Sequence, residues 1–343
     1  MKAIVKKERV YGATEIMEVP KPEVKPGYIL IKIKASAVCG SDLHAYEYPP
    51  GYEFMNIPVT LGHEYSGTVE AVGEGVTNFK VGERVMGESN QFCGYCENCH
   101  KGLTQICMNN KMTGIHIDGG MAEYISVPER IVHRIPDKVS FEEAAVAQPC
   151  AVSFHGVFDN SIIKPADVVV VFGPGIVGLM AAQGAKIMGA RKVIVVGTDA
   201  DEAVRMPVAK ELGFDVINGQ KQDLKKALKE LTGSETVDVV VEGSGAAAAA
   251  EQAATIVKKG GGITFVGIFS KPITLPLTNL IRSEVTMHTS YTCNWNNYEQ
   301  ALHLIESGQV NLKPLLNFYK FDDALQSFQD AIDKKVLKPV LQL

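Results

Sequence analysis

The sequence predicts an α/β protein in which a parallel sheet, covered on both faces, is joined to a smaller and mostly β domain. Three observations support this prediction. Short strands separated by glycines fill roughly the first 150 residues, continuous apolar runs alternate with helical segments beyond residue 160, and a glycine-rich turn follows the first of those runs. A chain of 343 residues is long enough for about two domains.

The β domain is predicted from strands of alternating character. Tyr28–Ala37 alternates apolar and polar residues, which is the period of a half-buried strand. Further strands are predicted at Ser66–Val72, Glu83–Met86 and Ala122–Val127. Short strands with glycine turns indicate a compact, irregular β domain.

The parallel sheet is predicted from residue 160 onward. Asp167–Phe172 is a continuous apolar run, typical of a parallel strand buried on both faces. The other predicted strands are Lys192–Val196, Val237–Val241 and Gly262–Val266, and the predicted helices are Ile176–Met188, Asp201–Leu212, Leu224–Leu231, Gly245–Val257, Tyr298–Ser307 and Phe321–Lys334. Strands that alternate with helices indicate a parallel sheet.

Composition and charge exclude several classes of protein. Hydrophobic residues make up 46% of the chain and charged residues 21%, values typical of a globular protein rather than a disordered one. The formal net charge is -5, which argues against a nucleic-acid partner. No apolar run reaches the roughly 20 residues of a membrane span, and Met1–Lys7 is charged where a signal peptide is apolar. We therefore expect a cytoplasmic protein with no membrane partner.

Four of the seven cysteines form a metal-binding pattern, C-x2-C-x2-C-x7-C, at Cys93, Cys96, Cys99 and Cys107. Two-residue gaps let a tight turn present successive sulfurs to one ion, and four thiolates fill every position of a tetrahedral zinc. A site with no open position is structural. The spacing therefore predicts a structural zinc within a lobe at about residues 90–110.

A second set of candidate ligands is scattered along the chain. Cys39 begins the stretch CGSDLH, and His63 and Glu64 follow in GHE. A thiolate, an imidazole and a carboxylate can hold zinc together while leaving one position for water or substrate. These residues therefore indicate a catalytic zinc.

A dinucleotide fingerprint, G-x-G-x-x-G, lies at Gly173, Gly175 and Gly178, between the predicted strand and helix. The helix N-terminus at Ile176 and Val177 offers free N–H groups to the phosphates. The acid expected about 20 residues further on is replaced by Gly197.

The residues after Gly197 leave the cofactor open between NAD and NADP. Asp199 could contact the adenosine ribose or could cap the following helix, and Thr198 precedes it. The nearest arginine is Arg205, inside that helix. We expect NAD to be favoured modestly, with measurable use of NADP.

In these motifs and their order, the sequence resembles the zinc-dependent medium-chain alcohol and polyol dehydrogenases from end to end, through to VNLKPLL at Val310–Leu316. The resemblance implies a doubly wound Rossmann domain, residues 153–290, inserted in a GroES-like catalytic domain formed by residues 1–152 and 291–343. It also implies oxidation of an alcohol by hydride transfer to NAD(P), with a catalytic and a structural zinc, in a homo-oligomer, either a dimer or a tetramer.

The resemblance also implies roles for individual residues. Ser41 and His44 match the hydroxyl and the histidine of a proton relay. Gln148 stands before Pro149, where polyol members carry an acid at or near the metal, and a neutral amide leaves zinc more electrophilic. Cys150 would share a face with Gln148 if the segment were extended, and could replace it as a ligand or remain a buried thiol. Tyr291 lies among substrate-contacting positions, while Ser290 replaces an expected arginine.

Three alternatives remain open at this point. The substrate could be threonine, butanediol or an aldose instead of a polyol or sugar derivative. A non-catalytic dinucleotide-binding relative is opposed by the joint presence of Cys39, Ser41, His44 and His63. A zinc-ribbon nucleic-acid binder is opposed by the acidic charge balance and the complete α/β pattern.

Overall fold

The computed structural model describes residues 1–343 and confirms the predicted α/β fold. The chain divides into two compact units. The first contains Met1–Gln148, Asn294–Ser307 and Leu316–Leu343. The second contains Pro149–Cys293 and Gly308–Leu315.

The second unit is built on a six-stranded parallel sheet. Its strands are β11 (Val168–Phe172), β12 (Lys192–Gly197), β13 (Asp215–Asn218), β14 (Val237–Glu242), β15 (Val257–Phe265) and β16 (Thr286–Thr289), in the order β13-β12-β11-β14-β15-β16. This is the 3-2-1-4-5-6 order of a doubly wound dinucleotide-binding fold, in which ligands bind outside the carboxyl ends of the strands.

Helices alternate with these strands in the second unit: α4 (Ile176–Ile187), α5 (Arg205–Glu211), α6 (Leu224–Thr232), α7 (Ala247–Ile256) and α8 (Leu277–Arg282). Every residue of β11 is buried, as its unbroken apolar sequence predicts. The side chains of Val170, Ile194 and Val240 pack into one core with the apolar faces of α6 and α7.

The first unit is mostly β. Its strands are β1 (Lys2–Lys6), β2 (Thr14–Glu18), β3 (Tyr28–Ala37), β4 (Val59–Thr60), β5 (Glu64–Val72), β6 (Arg84–Gly87), β7 (Asn90–Gln91), β8 (Lys111–Met112), β9 (Tyr124–Pro128), β10 (Val132–Arg134), β17 (Leu316–Lys320) and β18 (Lys338–Gln342). The main sheet runs β10-β6-β5-β3-β18-β17, with β9 also paired to β3. The last strand of the chain, β18, is thus hydrogen-bonded beside β3.

Four helices lie in the first unit: α1 (Gly40–Glu47), α2 (Glu97–His100), α9 (Trp295–Glu306) and α10 (Ala324–Ile332). A further helix, α3 (Phe141–Phe154), carries the chain from the first unit into the second and continues as a π-helical turn over His155–Asp159. No helix is long and apolar enough to cross a membrane.

Several element boundaries differ from the sequence predictions. The helix predicted at Asp201–Leu212 begins only at Arg205, because Asp201 closes a short turn by accepting hydrogen bonds from Thr198. The helix predicted from Tyr298 begins at Trp295, because the Asn294 side chain caps it.

The domain division also differs from the predicted one in the last fifth of the chain. Residues 308–315 belong to the second unit instead of the first. A pair of hydrogen bonds explains this placement: the Asn311 N–H donates to Gln183 Oε1 at 2.8 Å, and Gln183 Nε2 donates to the Asn311 carbonyl at 3.2 Å.

Candidate active site and metal centres

The glycine-rich turn after β11 has the geometry that its sequence suggests. Gly173 has a φ of 92°, which favours glycine. A Cβ on Gly178 would lie 1.8 Å from the Gly173 carbonyl oxygen, so this glycine permits close packing of helix on strand. A Cβ on Gly175 would meet no atom within 4 Å, so the backbone there is open to a ligand. Ile176 and Val177 form the first turn of α4 beside this opening, where free N–H groups attract phosphate.

The turn after β12 differs from the expectation that Asp199 could cap the following helix. Asp201, not Asp199, closes the turn, because its carboxylate accepts hydrogen bonds from the Thr198 N–H and hydroxyl at 3.0 and 2.8 Å. Asp199 instead accepts a hydrogen bond from Asn218 Nδ2 at 2.7 Å and remains 58% exposed. Arg205 is paired with Asp201 at 3.3 Å. The nearest guanidinium is therefore already neutralised, and the exposed group beside Gly197 is a carboxylate.

The cysteine lobe brings four sulfurs to the spacing of a tetrahedral zinc. Cys93 and Cys99 Sγ lie 3.9 Å apart, Cys96 and Cys99 3.5 Å, and Cys96 and Cys107 3.9 Å. Four ligands about 2.3 Å from one ion define tetrahedron edges of about 3.8 Å. The residues present therefore fit zinc.

The pKa values of the thiols in the lobe also indicate that the site binds a cation. Burial opposes ionisation of Cys93, but N–H groups of Tyr95, Cys96 and Asn109 outweigh it and lower the pKa of that thiol to about 6. Burial, reinforced by neighbouring sulfurs, raises the pKa of Cys99. The sulfurs cannot all ionise without a positive charge between them, which a divalent metal supplies.

The second cluster brings together Cys39, His63 and Glu64, whose ligand atoms all lie within 4.8 Å of one another. Cys39 precedes α1 as its N-cap residue, and Glu64 begins β5. Glu64 Oε1 is buried and has no hydrogen-bond partner. Buried polar atoms without partners are rare, and the three side chains of the cluster are of types that bind zinc. The donor set therefore fits a catalytic zinc.

Asp42 holds the two halves of this cluster together, and sequence reasoning missed it. Its side chain is fully buried, and it accepts hydrogen bonds from the N–H of Cys39 at 2.9 Å and of Gly62 at 3.2 Å. Asp42 Oδ1 also lies 3.8 Å from His63 Nδ1. Burial alone lowers the pKa of His63, but the negative charges of Asp42, Cys39 and Glu64 outweigh it and raise that pKa to about 10. The site attracts positive charge.

Ser41 and His44 lie on α1, directly after Cys39. They are three residues apart, which places them on one face of the helix. His44 is 58% exposed at the side chain, and its Nδ1 lies 3.5 Å from Glu47 Oε2. The helix thus leads from Cys39 towards solvent through Ser41 and His44.

The structure corrects the expectation about Gln148 and Cys150. The segment is helical, and residues two apart on a helix point in different directions, so the two do not share a face. Gln148 Nε2 donates to Ser89 Oγ at 3.2 Å. Cys150 is buried, and its Sγ contacts Met180 Sδ at 3.2 Å, so it is a packed thiol outside the cluster.

Two further residues near the end of β16 differ in exposure. Tyr291 is 47% exposed, whereas Ser290 is buried. Ser290 Oγ lies 3.5 Å from Asn160 Nδ2.

Comparison with known proteins matches both units to described families. Residues 25–137 match the alcohol dehydrogenase GroES-like domain, and residues 177–307 match the zinc-binding dehydrogenase domain. The chain is 39% identical to the sorbitol dehydrogenase of Halalkalibacterium halodurans, with 98% of each chain covered. It is 32% identical to the D-arabitol-phosphate dehydrogenase of Enterococcus avium, covering 100% of this chain and 97% of the relative.

A solved structure agrees with these matches. A zinc-binding dehydrogenase from Sinorhizobium meliloti 1021, determined with NADP bound, superposes with a TM-score of 0.91 at 28% identity, covering 100% of this chain and 99% of the other. Fold, donor sets and relatives together define an oxidoreductase that uses zinc and a nicotinamide dinucleotide. The chain belongs to the zinc-binding alcohol dehydrogenase family.

Proposed function

We propose that this enzyme oxidises a secondary alcohol of a polyol or sugar derivative to a ketone, with Cys39, His63 and Glu64 as the ligands of its catalytic zinc. The observation that carries the proposal is the cluster of these three residues, whose ligand atoms lie within 4.8 Å of one another, with Asp42 holding it and Glu64 Oε1 left without a hydrogen-bond partner. The relatives named for sorbitol and arabitol phosphate support the polyol class.

In this proposal the metal and the cofactor supply an electrophile for the alcohol oxygen and an acceptor for hydride. The chain's own residues do the rest. Asp42 fixes the ring of His63 by lying beside Nδ1, which leaves the opposite nitrogen for the ligand role. The Ser41 hydroxyl accepts the proton leaving the alcohol as it gives up its own, and the exposed His44, one turn later on α1, accepts that proton and releases it to solvent.

We further propose that NAD is preferred modestly over NADP. The exposed carboxylate of Asp199 opposes a 2′-phosphate, and Arg205 is occupied by Asp201. The ammonium of Lys221 lies 3.7 Å from Asp199 and weakens the repulsion between this carboxylate and the 2′-phosphate of NADP. Measurable activity with NADP is therefore expected.

The proposal also includes a homo-oligomer, a dimer or a tetramer, in the cytoplasm. Strand β16 lies at one edge of the second unit's sheet with Met287 41% exposed, and Ile281 is 73% exposed. An exposed, partly apolar sheet edge favours pairing with another chain. The cytoplasm keeps thiols reduced, as both metal sites require. Light scattering during size-exclusion chromatography tests the oligomer, and fractionation of cells tests the location.

The activity is tested by a dehydrogenase screen over polyols, polyol phosphates, aldoses and amino alcohols with both nicotinamides. C39S is the matched inactive control. We expect turnover of at least one secondary alcohol of the polyol classes. Activity confined to the amino alcohols would replace the proposed substrate class, and activity that C39S retains would contradict the proposed site.

A further inference from the structure

The last strand of the chain places a buried lysine against the catalytic cluster, which is the set Cys39, His63 and Glu64. Lys338 is the first residue of β18, and its side chain is 1% exposed. Its Nζ lies 2.5 Å from Glu64 Oε2 and donates a hydrogen bond to the Val38 carbonyl at 2.9 Å. Lys338 thus touches the residue before Cys39 and the carboxylate of Glu64.

Glu64 has no other charged partner at this distance. Its side chain is fully buried, and its contact with Lys338 is an ion pair rather than a well-directed hydrogen bond. Placing an ammonium and a carboxylate in an interior carries a large desolvation cost for each ion. Two apolar side chains at these positions would pack with a smaller desolvation cost. The stability of the fold alone therefore does not account for Lys338.

The charges of the site suggest what the ion pair does. A thiolate at Cys39 and a carboxylate at Glu64 would together neutralise a divalent cation, and Gln148 adds no charge. The ammonium of Lys338 and the buried carboxylate of Asp42 then balance each other. The ammonium also competes with the metal for Oε2 of Glu64, because both cations attract the same carboxylate.

Resting on the proposed function, we propose that Lys338 is a positioning residue that holds Oε2 of Glu64, so that the carboxylate binds the metal through Oε1 alone and the fourth coordination position stays open for the alcohol. Without the ammonium, both oxygens of the buried Glu64 carboxylate would bind the metal. The metal is then held more tightly, and the position for substrate is lost.

The test is zinc affinity, measured by competition with a chelator on the full-length protein. K338M removes the charge and retains much of the side-chain length. We expect the zinc of the catalytic cluster to bind about tenfold more tightly in K338M, because a nearby positive charge is removed and the second oxygen of Glu64 is released. The zinc of the cysteine lobe, in the same chain, is the internal reference and should be unchanged. K338R keeps the charge and should behave as the wild-type protein.

Lys6 offers a matched control. It is also a fully buried lysine, but its Nζ donates only to the carbonyls of Val10 and Tyr46. K6M therefore removes a buried ammonium from the same unit without releasing a carboxylate. It should alter thermal stability and leave both zinc affinities as they are.

Cobalt substitution gives a second measurement. In K338M the second oxygen of Glu64 should also bind and so weaken the visible absorption of cobalt at the catalytic cluster, because a higher coordination number reduces the intensity of these bands. If K338M does not fold, K338Q, which is also neutral and can still bond the Val38 carbonyl, carries the same expectations.

Catalytic zinc that is bound equally or more weakly in a folded neutral variant, with an unchanged cobalt spectrum, would overturn the proposal and leave Lys338 a structural counter-ion. A wild-type protein that binds no zinc beyond the lobe would instead contradict the proposed function itself.

Discussion

The cysteine lobe and the catalytic cluster are constructed in opposite ways. The lobe takes four ligands of one type from a single short stretch, Cys93 to Cys107, and three of them are partly exposed. The catalytic cluster takes three different ligand types from two separate segments. It is also surrounded by buried charges, Asp42 on one side and Lys338 on the other.

This difference teaches how each site limits its chemistry. Four thiolates leave zinc no open position, so the lobe can only stabilise structure. Three mixed ligands leave one position, and the charges around them then decide how strongly the metal acts on what binds there. The five variants below test the roles of the two metal sites and the preference for the cofactor, from the largest expected effect to the smallest.

The largest effect is expected for C39S. Removal of the thiolate should lower kcat/KM by about a thousandfold or more, since the metal's contribution amounts to several kcal/mol. The variant should still fold and bind nucleotide, because the fingerprint lies in the second unit. Steady-state kinetics and nucleotide titration measure both properties. Retention of most of the activity would mean that Cys39 is not a ligand.

C99S breaks the other site. We expect the melting temperature to fall by roughly 5 °C, because zinc binding to a structural site is part of the folding free energy. Calorimetry of the wild-type and variant proteins, with and without added zinc, measures the change. A melting temperature equal to that of the wild-type protein would contradict a structural role for the lobe.

The same contrast explains what the sequence could reveal. The lobe is specified by local spacing, so its four ligands were predictable from Cys93–Cys107 alone. Cys39, His63 and Glu64 were suggested by short motifs, but nothing local indicates that Asp42 is buried between them. Lys338 was not predictable, because only the pairing of β18 beside β3 brings it to Glu64.

Local ambiguity accounts for the remaining errors. Four of the six strands of the parallel sheet were predicted, because continuous apolar runs such as that of β11 have few alternatives in an alternating pattern, whereas the shorter and more polar β13 and β16 were missed. The sequence leaves open whether the segment around Gln148 is extended, and the structure shows that Phe141–Phe154 is helical. Pro149 disfavours a helix interior, and tertiary packing overrides that preference here.

D42N tests the support of the catalytic cluster. The variant keeps the shape of the side chain but removes its charge, so His63 loses the negative charge beside Nδ1. We expect a decrease of about 10- to 100-fold in activity or in affinity for the catalytic zinc, the usual range for partners of metal ligands. The zinc of the lobe should be unaffected. Equal loss from both sites would indicate general destabilisation instead.

Q148E tests whether the neutral amide lies near the metal. An added carboxylate would disfavour ionisation of the alcohol, so the rise of the oxidation rate with pH should shift upward by about one unit. Q148A is the control for loss of the hydrogen bond to Ser89 without a change of charge. An unchanged pH–rate profile in Q148E would place Gln148 away from the metal.

The smallest effect concerns the cofactor. G197D should increase the preference for NAD, because its carboxylate would bind the ribose and repel a 2′-phosphate. A Cβ at this position would lie 3.1 Å from Pro174 and 3.2 Å from Met206, so G197A is needed to separate crowding from charge. We expect the kcat/KM ratio of NAD to NADP to rise only in G197D. A wild-type preference for NADP of about tenfold, or 1.4 kcal/mol, would contradict the assignment.

The most direct test of the two-site account is the zinc content of the purified wild-type, C39S and C99S proteins, measured by mass spectrometry beside their activities. The account predicts two zinc ions per chain in the wild-type protein and one in each variant, with activity lost at the same protein concentration in C39S while C99S chiefly loses stability. A fully active protein with one zinc or none, or a C39S variant that retains both ions, would contradict it.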